Sequence, residues 1–290
     1  MAPACERHTQ STEITVQRYQ IQMPSIDRSP ADPRVVALAM RERGVILLAL
    51  FGVTLIAWLY LLTISRAMSG MAMHEMPDMA MPMTAPWTPT AFALAFAMWW
   101  VMMIGMMVPS AAPMVLTFAT LNRNKRTRGQ NFVPTSVFLL GYLIAWGAFS
   151  VAATLAQWGL DHAALLSPML AAASPVLGGV LVILAGLYQF TPLKQACLRN
   201  CRSPFAFVLN HWRDGWTGAL RMGLEHGGYC LGCCWVLMAL LFVVGIMNLL
   251  WVAGIAAFVF AEKLLPGGVW IGRAGGGAML AFGVYLLTRG

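Results

Sequence analysis

A chain of 290 residues that is 59% hydrophobic and only 10% charged, with a mean hydropathy of +0.69, carries more apolar surface than one soluble core can hide, so it reads as an integral membrane protein. A net charge of +8 would suit nucleic acid, but Lys and Arg gather in short segments between apolar runs, the pattern that sets membrane topology, and a nucleic-acid partner is set aside. Six cysteines would allow a disulfide framework in a small secreted domain; five of these lie at or beside predicted span boundaries on the positively charged side, which favours free thiols in a reducing compartment.

Residues Met1 to about Pro33 are rich in Ser, Thr and Gln and lack the basic, apolar, small-residue order of a cleavable signal. With Arg34, Arg41 and Arg43 they make a polar tail, 1–43, on the cytoplasmic side. Cys5 and His8 in this tail are given no role. The apolar run 44–64 is long enough to span. It leads to an outer loop, 65–90, in which Met68, Met71, Met73, His74, Met76, Met79, Met81 and Met83 stand among prolines. Thioethers in such a segment gain little from burial and point to a soft metal ion.

The remainder, 91–290, reads as a transmembrane bundle. In the span Ala91 to about Leu121, Met98, Met102 and Met106 are spaced i, i+4, i+8 on one helix face with Met103 and Met107 beside them. Such methionines either pack a core or line a path of thioethers. Pro109 and Pro113 should kink or loosen the inner half, and the basic stretch Asn122–Arg128 is cytoplasmic. Spans at about 134–157 and 175–193 follow, joined by an outer link with Asp161 and His162. The basic segment Lys194–Arg202 returns the chain to the inner side with Cys197 and Cys201 four residues apart, open to readings as simple inner-face thiols, a disulfide, lipidation targets or part of a shared site. Residues 203–221 are expected as a short interfacial helix or loop.

Breaks near Gly245 and Pro266 divide the last stretch into spans at about 222–245, 248–265 and 268–288. The fold class is therefore all-α, a polytopic bundle of seven transmembrane helices, with six as the rival count. At the mouth of the 222–245 span, His226, Cys230, Cys233 and Cys234 fall on one stripe of a helix. Gly223, Gly227, Gly228 and Gly232 would admit a close neighbouring helix, or the glycine pair would break this one. Glu225 could orient His226. Glu262 and Lys263, at the inner end of the 248–265 span, either orient a ligand or snorkel to the interface.

Several blocks together are specific: Met98-Trp99, Met102, Met106-Met107, Pro109-Ser110 and Pro113; Cys197 to Pro204; Gly227 to Met238; and Met247-Asn248 with Glu262-Lys263. Over roughly Ala91 to Leu265 the chain resembles a family of bacterial integral membrane proteins predicted to bind metal, the domain of unknown function 2182. That family commonly has Ala where this chain has Gly105. The resemblance implies a membrane location and a bound metal, and no settled activity. The Met-rich loop lies outside the shared pattern.

Thiolates and thioethers select soft ions, so Cu(I) is preferred as the metal over zinc, which favours a closed set of four Cys and His ligands. Weak outer thioethers and stronger inner thiolates form an affinity gradient. Cu(I) is expected to be caught by Met71, Met73, His74, Met76 and Met79 with Met81 and Met83, to pass Met98, Met102, Met106 and Met107, and to reach Cys230, Cys233 and Cys234, with His226, Cys197 and Cys201 as further candidates. The multi-pass chain is placed in a bacterial inner membrane, surrounded by lipid, with a copper chaperone or copper enzyme as the expected partner class. Two other readings stay open: a thiol/disulfide redox protein using Cys230 and Cys233, and an accessory subunit of a copper enzyme. No Ser, His and carboxylate set and no facing histidine pair stands out, so a binding role is expected before an enzymatic one.

Overall fold

The computed structural model of the chain describes residues 33–74, 87–127, 132–163, 165, 175–246 and 248–289. Within them every regular element is a helix: α1 Pro33–His74, α2 Pro89–Thr127, α3 Thr135–His162, α4 Pro175–Tyr188, α5 Pro192–Arg202, α6 Pro204–Asn210, α7 Gly215–Ala239, α8 Leu241–Val244, α9 Leu249–Leu264 and α10 Gly268–Arg289. The stretches Met40–Ala67, Pro89–Lys125, Thr135–His162, Gly215–Val244 and Gly268–Arg289 are each long and apolar enough to cross a membrane. A sixth such crossing results if α4 and α5, bent by 64° at their junction, count as one. The all-helical expectation holds, and among the described residues these lengths support five crossings, or six with the bent pair counted as one. The seventh expected crossing is the 16-residue α9, about 24 Å long at 1.5 Å per residue, against a hydrocarbon core of about 30 Å.

Backbone contacts group Met1–Glu42 and Arg43–Gly290 as separate units. The described part of the first, 33–42, forms the opening turns of α1. The second holds the candidate site and is built around α2, α3 and α7.

Pro109 and Pro113 lie inside α2 without ending it. Pro109 has no amide hydrogen to offer Gly105, four residues earlier, so that carbonyl needs another donor. Trp58 of α1 supplies it, its indole N–H lying 3.2 Å from Gly105 O. A methyl group at position 105 would sit 3.3 Å from Ala57 Cβ, so glycine in place of the resembled family's alanine eases the approach of α1.

The pair α3 and α7 is the most extensively packed in the bundle. A side chain on Gly223 would run into the Phe138 carbonyl and one on Gly227 into Ala145 Cβ. Of the two roles expected for these glycines the close approach is realised, and α7 runs unbroken through Gly227-Gly228. This helix starts at Gly215 rather than near 222, so the last seven residues of the expected interfacial segment, 215–221, form its first two turns. Cys230 therefore lies about 22 Å along α7 and not at its mouth.

The basic segment Lys194–Arg202 lies in a short helix, α5. Thr191 accepts the Lys194 amide at its N-terminus and Pro192 occupies the first turn, where a missing amide hydrogen costs nothing. Helical spacing then puts Cys197 and Cys201 on one side. The first residues of the Met-rich stretch are helical too, since α1 continues to His74 where a loop was expected.

Candidate metal centre

Five methionines of α2 (Met98, Met102, Met103, Met106 and Met107) share one buried cluster with Cys230, Cys233 and Cys234 of α7, and Cys197 and Cys201 of α5 pack against it. All five of these cysteines are free thiols. Met107 Sδ lies 4.0 Å from Cys234 Sγ. The Cys201 thiol lies beside those of Cys230 and Cys233, and the Cys234 thiol beside the same two. Cys197 takes a more peripheral place, its sulfur resting where Gly232 has no side chain. Sulfur from three helices thus meets in one pocket.

Each thiol of α7 already has a partner. Cys233 Sγ and Cys234 Sγ both lie 3.0 Å from the Cys230 carbonyl. Cys230 Sγ is 2.9 Å from Lys263 Nζ and 3.2 Å from the Tyr142 hydroxyl. Lys263 also reaches Ser110 Oγ at 3.3 Å, and both Ser110 and Tyr142 bond to the Met107 carbonyl. Among the described residues no three His, Cys, Asp or Glu side chains are arranged to hold an ion. The thiols are neighbours turned to hydrogen-bonding partners.

His226 lies one turn before Cys230, with its ring stacked near Phe138 and Tyr142. Only 3% of it is exposed, and its Nδ1 has no hydrogen-bond partner. An orphaned buried nitrogen is costly unless something else binds it. Glu225 does not orient this ring; its carboxylate is engaged by Arg213 and Arg221, as expected for consecutive helix residues that point about 100° apart.

Neither Glu262 nor Lys263 snorkels. Both are buried, Lys263 against Cys230 and Glu262 in an ion pair with Lys194 of α5 at 2.7 Å. The sequence signal for this was two charges in a stretch nearly free of them, and Ser110 stood in one of the motif blocks; nothing in the sequence pointed to Tyr142. Met98, Met102 and Met106 form the buried stripe their spacing predicts, and Met107 beside them is in contact with a thiol sulfur. Met71, Met73 and His74 belong to the last turns of α1, and their side chains lie outside the described set. Met76, Met79, Met81, Met83, residues 1–32 of the tail and Met247 lie outside the described residues.

A family model described as PpoB2, copper chaperone, matches residues 96–286. The chain belongs to this copper chaperone family. The match begins just before Met98, includes every cysteine of the pocket, and leaves out α1 and the Met-rich stretch. The resemblance read from the motif blocks is therefore met at the level of a copper-related family. No curated protein and no solved structure matches the chain. The cluster is sulfur-rich and buried, and the unpartnered His226 Nδ1 lies one helical turn before Cys230; sulfur and imidazole are the ligand types that soft ions select.

Proposed function

We propose that this copper chaperone family member is a bacterial inner-membrane protein that carries Cu(I) as cargo, held by Cys230, Cys233, Cys234 and Cys201 with Met107 and His226. The observation that carries this reading is the meeting of Met107, Cys234 and Cys201 sulfur from three different helices. Uncharged thioethers hold Cu(I) weakly and without proton release, while thiolates hold it tightly, so a sulfur chain ending at the cysteines favours inward passage. Met71, Met73, His74, Met76 and Met79 are the outer intake, and Met98, Met102 and Met106 the approach. Cys197, at the edge of the pocket, is the outlet to a thiol-bearing acceptor. Arg34, Arg41 and Arg43 in the first part of α1 and the basic end of α2 support a cytoplasmic N-terminus.

Elemental analysis of protein purified anaerobically in detergent tests this. About one copper per chain is expected in the native protein, with near-complete loss on replacing Cys230, Cys233 and Cys234 by Ser. Stoichiometric zinc without copper would overturn it. The adjacency of Cys201 to Cys230 and Cys233 also suits a second reading, a dithiol/disulfide couple. A two-electron thiol titration in metal-free protein, with no copper bound at any stage, would favour that reading.

A further inference from the structure

Glu262 grips the cysteine-bearing helix α5 on both sides of its thiols. Its carboxylate accepts from Lys194 Nζ at 2.7 and 2.9 Å, three residues before Cys197. Its main-chain carbonyl accepts from Arg202, the residue after Cys201, which also donates to the Leu265 carbonyl at 3.0 Å. Lys194 is further bonded to the Gln189 side chain at the bend between α4 and α5. Exposure of the ion pair is 0% for Lys194 and 2% for Glu262.

The adjoining helix α10 is cut to fit these contacts. A side chain at Gly272 would collide with the Glu262 carboxylate, and one at Gly268 with the Arg202 guanidinium and the Glu262 carbonyl. Removing two charges from water costs about as much as their attraction returns, so such a pair is a poor device for stability alone. It is a good device for holding one helix in one register, because both partners lose heavily if they part. The next residue, Lys263, reaches Cys230 on α7 and Ser110 on α2. Two consecutive residues of α9 therefore reach the two helices whose thiols must meet.

We propose that Glu262 is a positioning residue that clamps α5 to α9 through Lys194 and Arg202, and thereby keeps Cys201 beside Cys230 and Cys233. Its consequence for copper rests on the Cu(I) reading above; the clamp itself does not. When the clamp is loosened, α5 drifts from the pocket and copper loses one sulfur donor.

The test uses the full chain in detergent, reduced and metal-free, with dibromobimane as a short thiol-bridging probe and mass spectrometry to identify the bridged peptides. In the native protein the probe joins Cys201 to the Cys230–Cys234 peptide. Glu262→Gln and Gly272→Ala should each lower this bridging severalfold, the second without altering any charge. Cu(I) affinity should fall by about 10–100-fold in both, as for other residues that orient metal ligands. Adding Cys201→Ser to either variant should cause little further loss, since the two changes remove the same interaction. Should Glu262→Gln not fold, Gly272→Ala carries the test by itself. Bridging that stays at the native level in the folded variants overturns the clamp, whatever copper does. Bridging that falls in a protein that never binds copper upholds the clamp and sinks the copper reading.

Discussion

Lys263 places its ammonium 2.9 Å from Cys230 Sγ, inside a pocket of sulfur atoms. A buried cation in that position offsets the negative charge that thiolate ligands bring into an apolar interior. Lys263→Met, close in length but uncharged, should therefore weaken Cu(I) binding by about 10–100-fold. Competition against a Cu(I) chelator measures this, and an unchanged affinity would make the ammonium a bystander.

Met107 Sδ lies 4.0 Å from the thiol sulfur of Cys234. Met107→Leu keeps the volume and should cost less than about 1.5 kcal/mol of stability. X-ray absorption of the copper-loaded variant should show one sulfur fewer around the metal than in the native protein. An equal sulfur count would remove Met107 from the ligand set.

Gly223 and Gly228 lie on the same helix and predict opposite outcomes. A methyl group at 223 meets the Phe138 carbonyl, while one at 228 meets nothing within 4 Å. Thermal unfolding in detergent should show Gly223→Ala destabilised by about 1–3 kcal/mol. Gly228→Ala should be neutral or slightly stabilised.

Asp214, at the N-terminus of α7, is held below the usual carboxylate range by its hydrogen bond from Lys125 at 2.5 Å, helped by the Trp212 indole at 2.9 Å. A depressed carboxyl stabilises the fold at pH values above its unfolded pKa of about 3.9 and loses that contribution as pH falls through its lower folded value. The site is exposed, so the contribution is small. The difference in unfolding midpoint between native protein and Asp214→Asn should be present at pH 6 and shrink below about pH 4. A difference that grows as the pH is lowered would contradict this.

Much of the architecture was legible because lipid imposes strong rules. Apolar runs of spanning length, separated by basic segments, announce helices, and the i, i+4 spacing of Met98, Met102 and Met106 foretold one buried stripe. The placing of Cys230 at the mouth of its span failed because no local signal marks where an apolar helix begins: α7 starts at Gly215 and simply runs past the cysteines. The side shared by Cys197 and Cys201 was legible from their helical spacing, but the fate of Lys194 was not: a charge read as a mark of the inner side is spent on Glu262, 68 residues away.

What the sequence alone decided is the kind of protein and the kind of chemistry: an all-helical chain with apolar segments of spanning length, carrying soft sulfur donors. These follow from composition and helical period, which are local properties. Which sulfurs become neighbours was decided only in three dimensions. Cys201 meets Cys230 because α4 and α5 bend and Glu262 grips α5, and Met107 meets Cys234 because α2, α3 and α7 pack together, Gly223 and Gly227 letting α3 come close. Lys263 among the thiols is a long-range pairing of the same sort: a charge at the end of an apolar run has no local reason to turn inward until another helix offers it a partner.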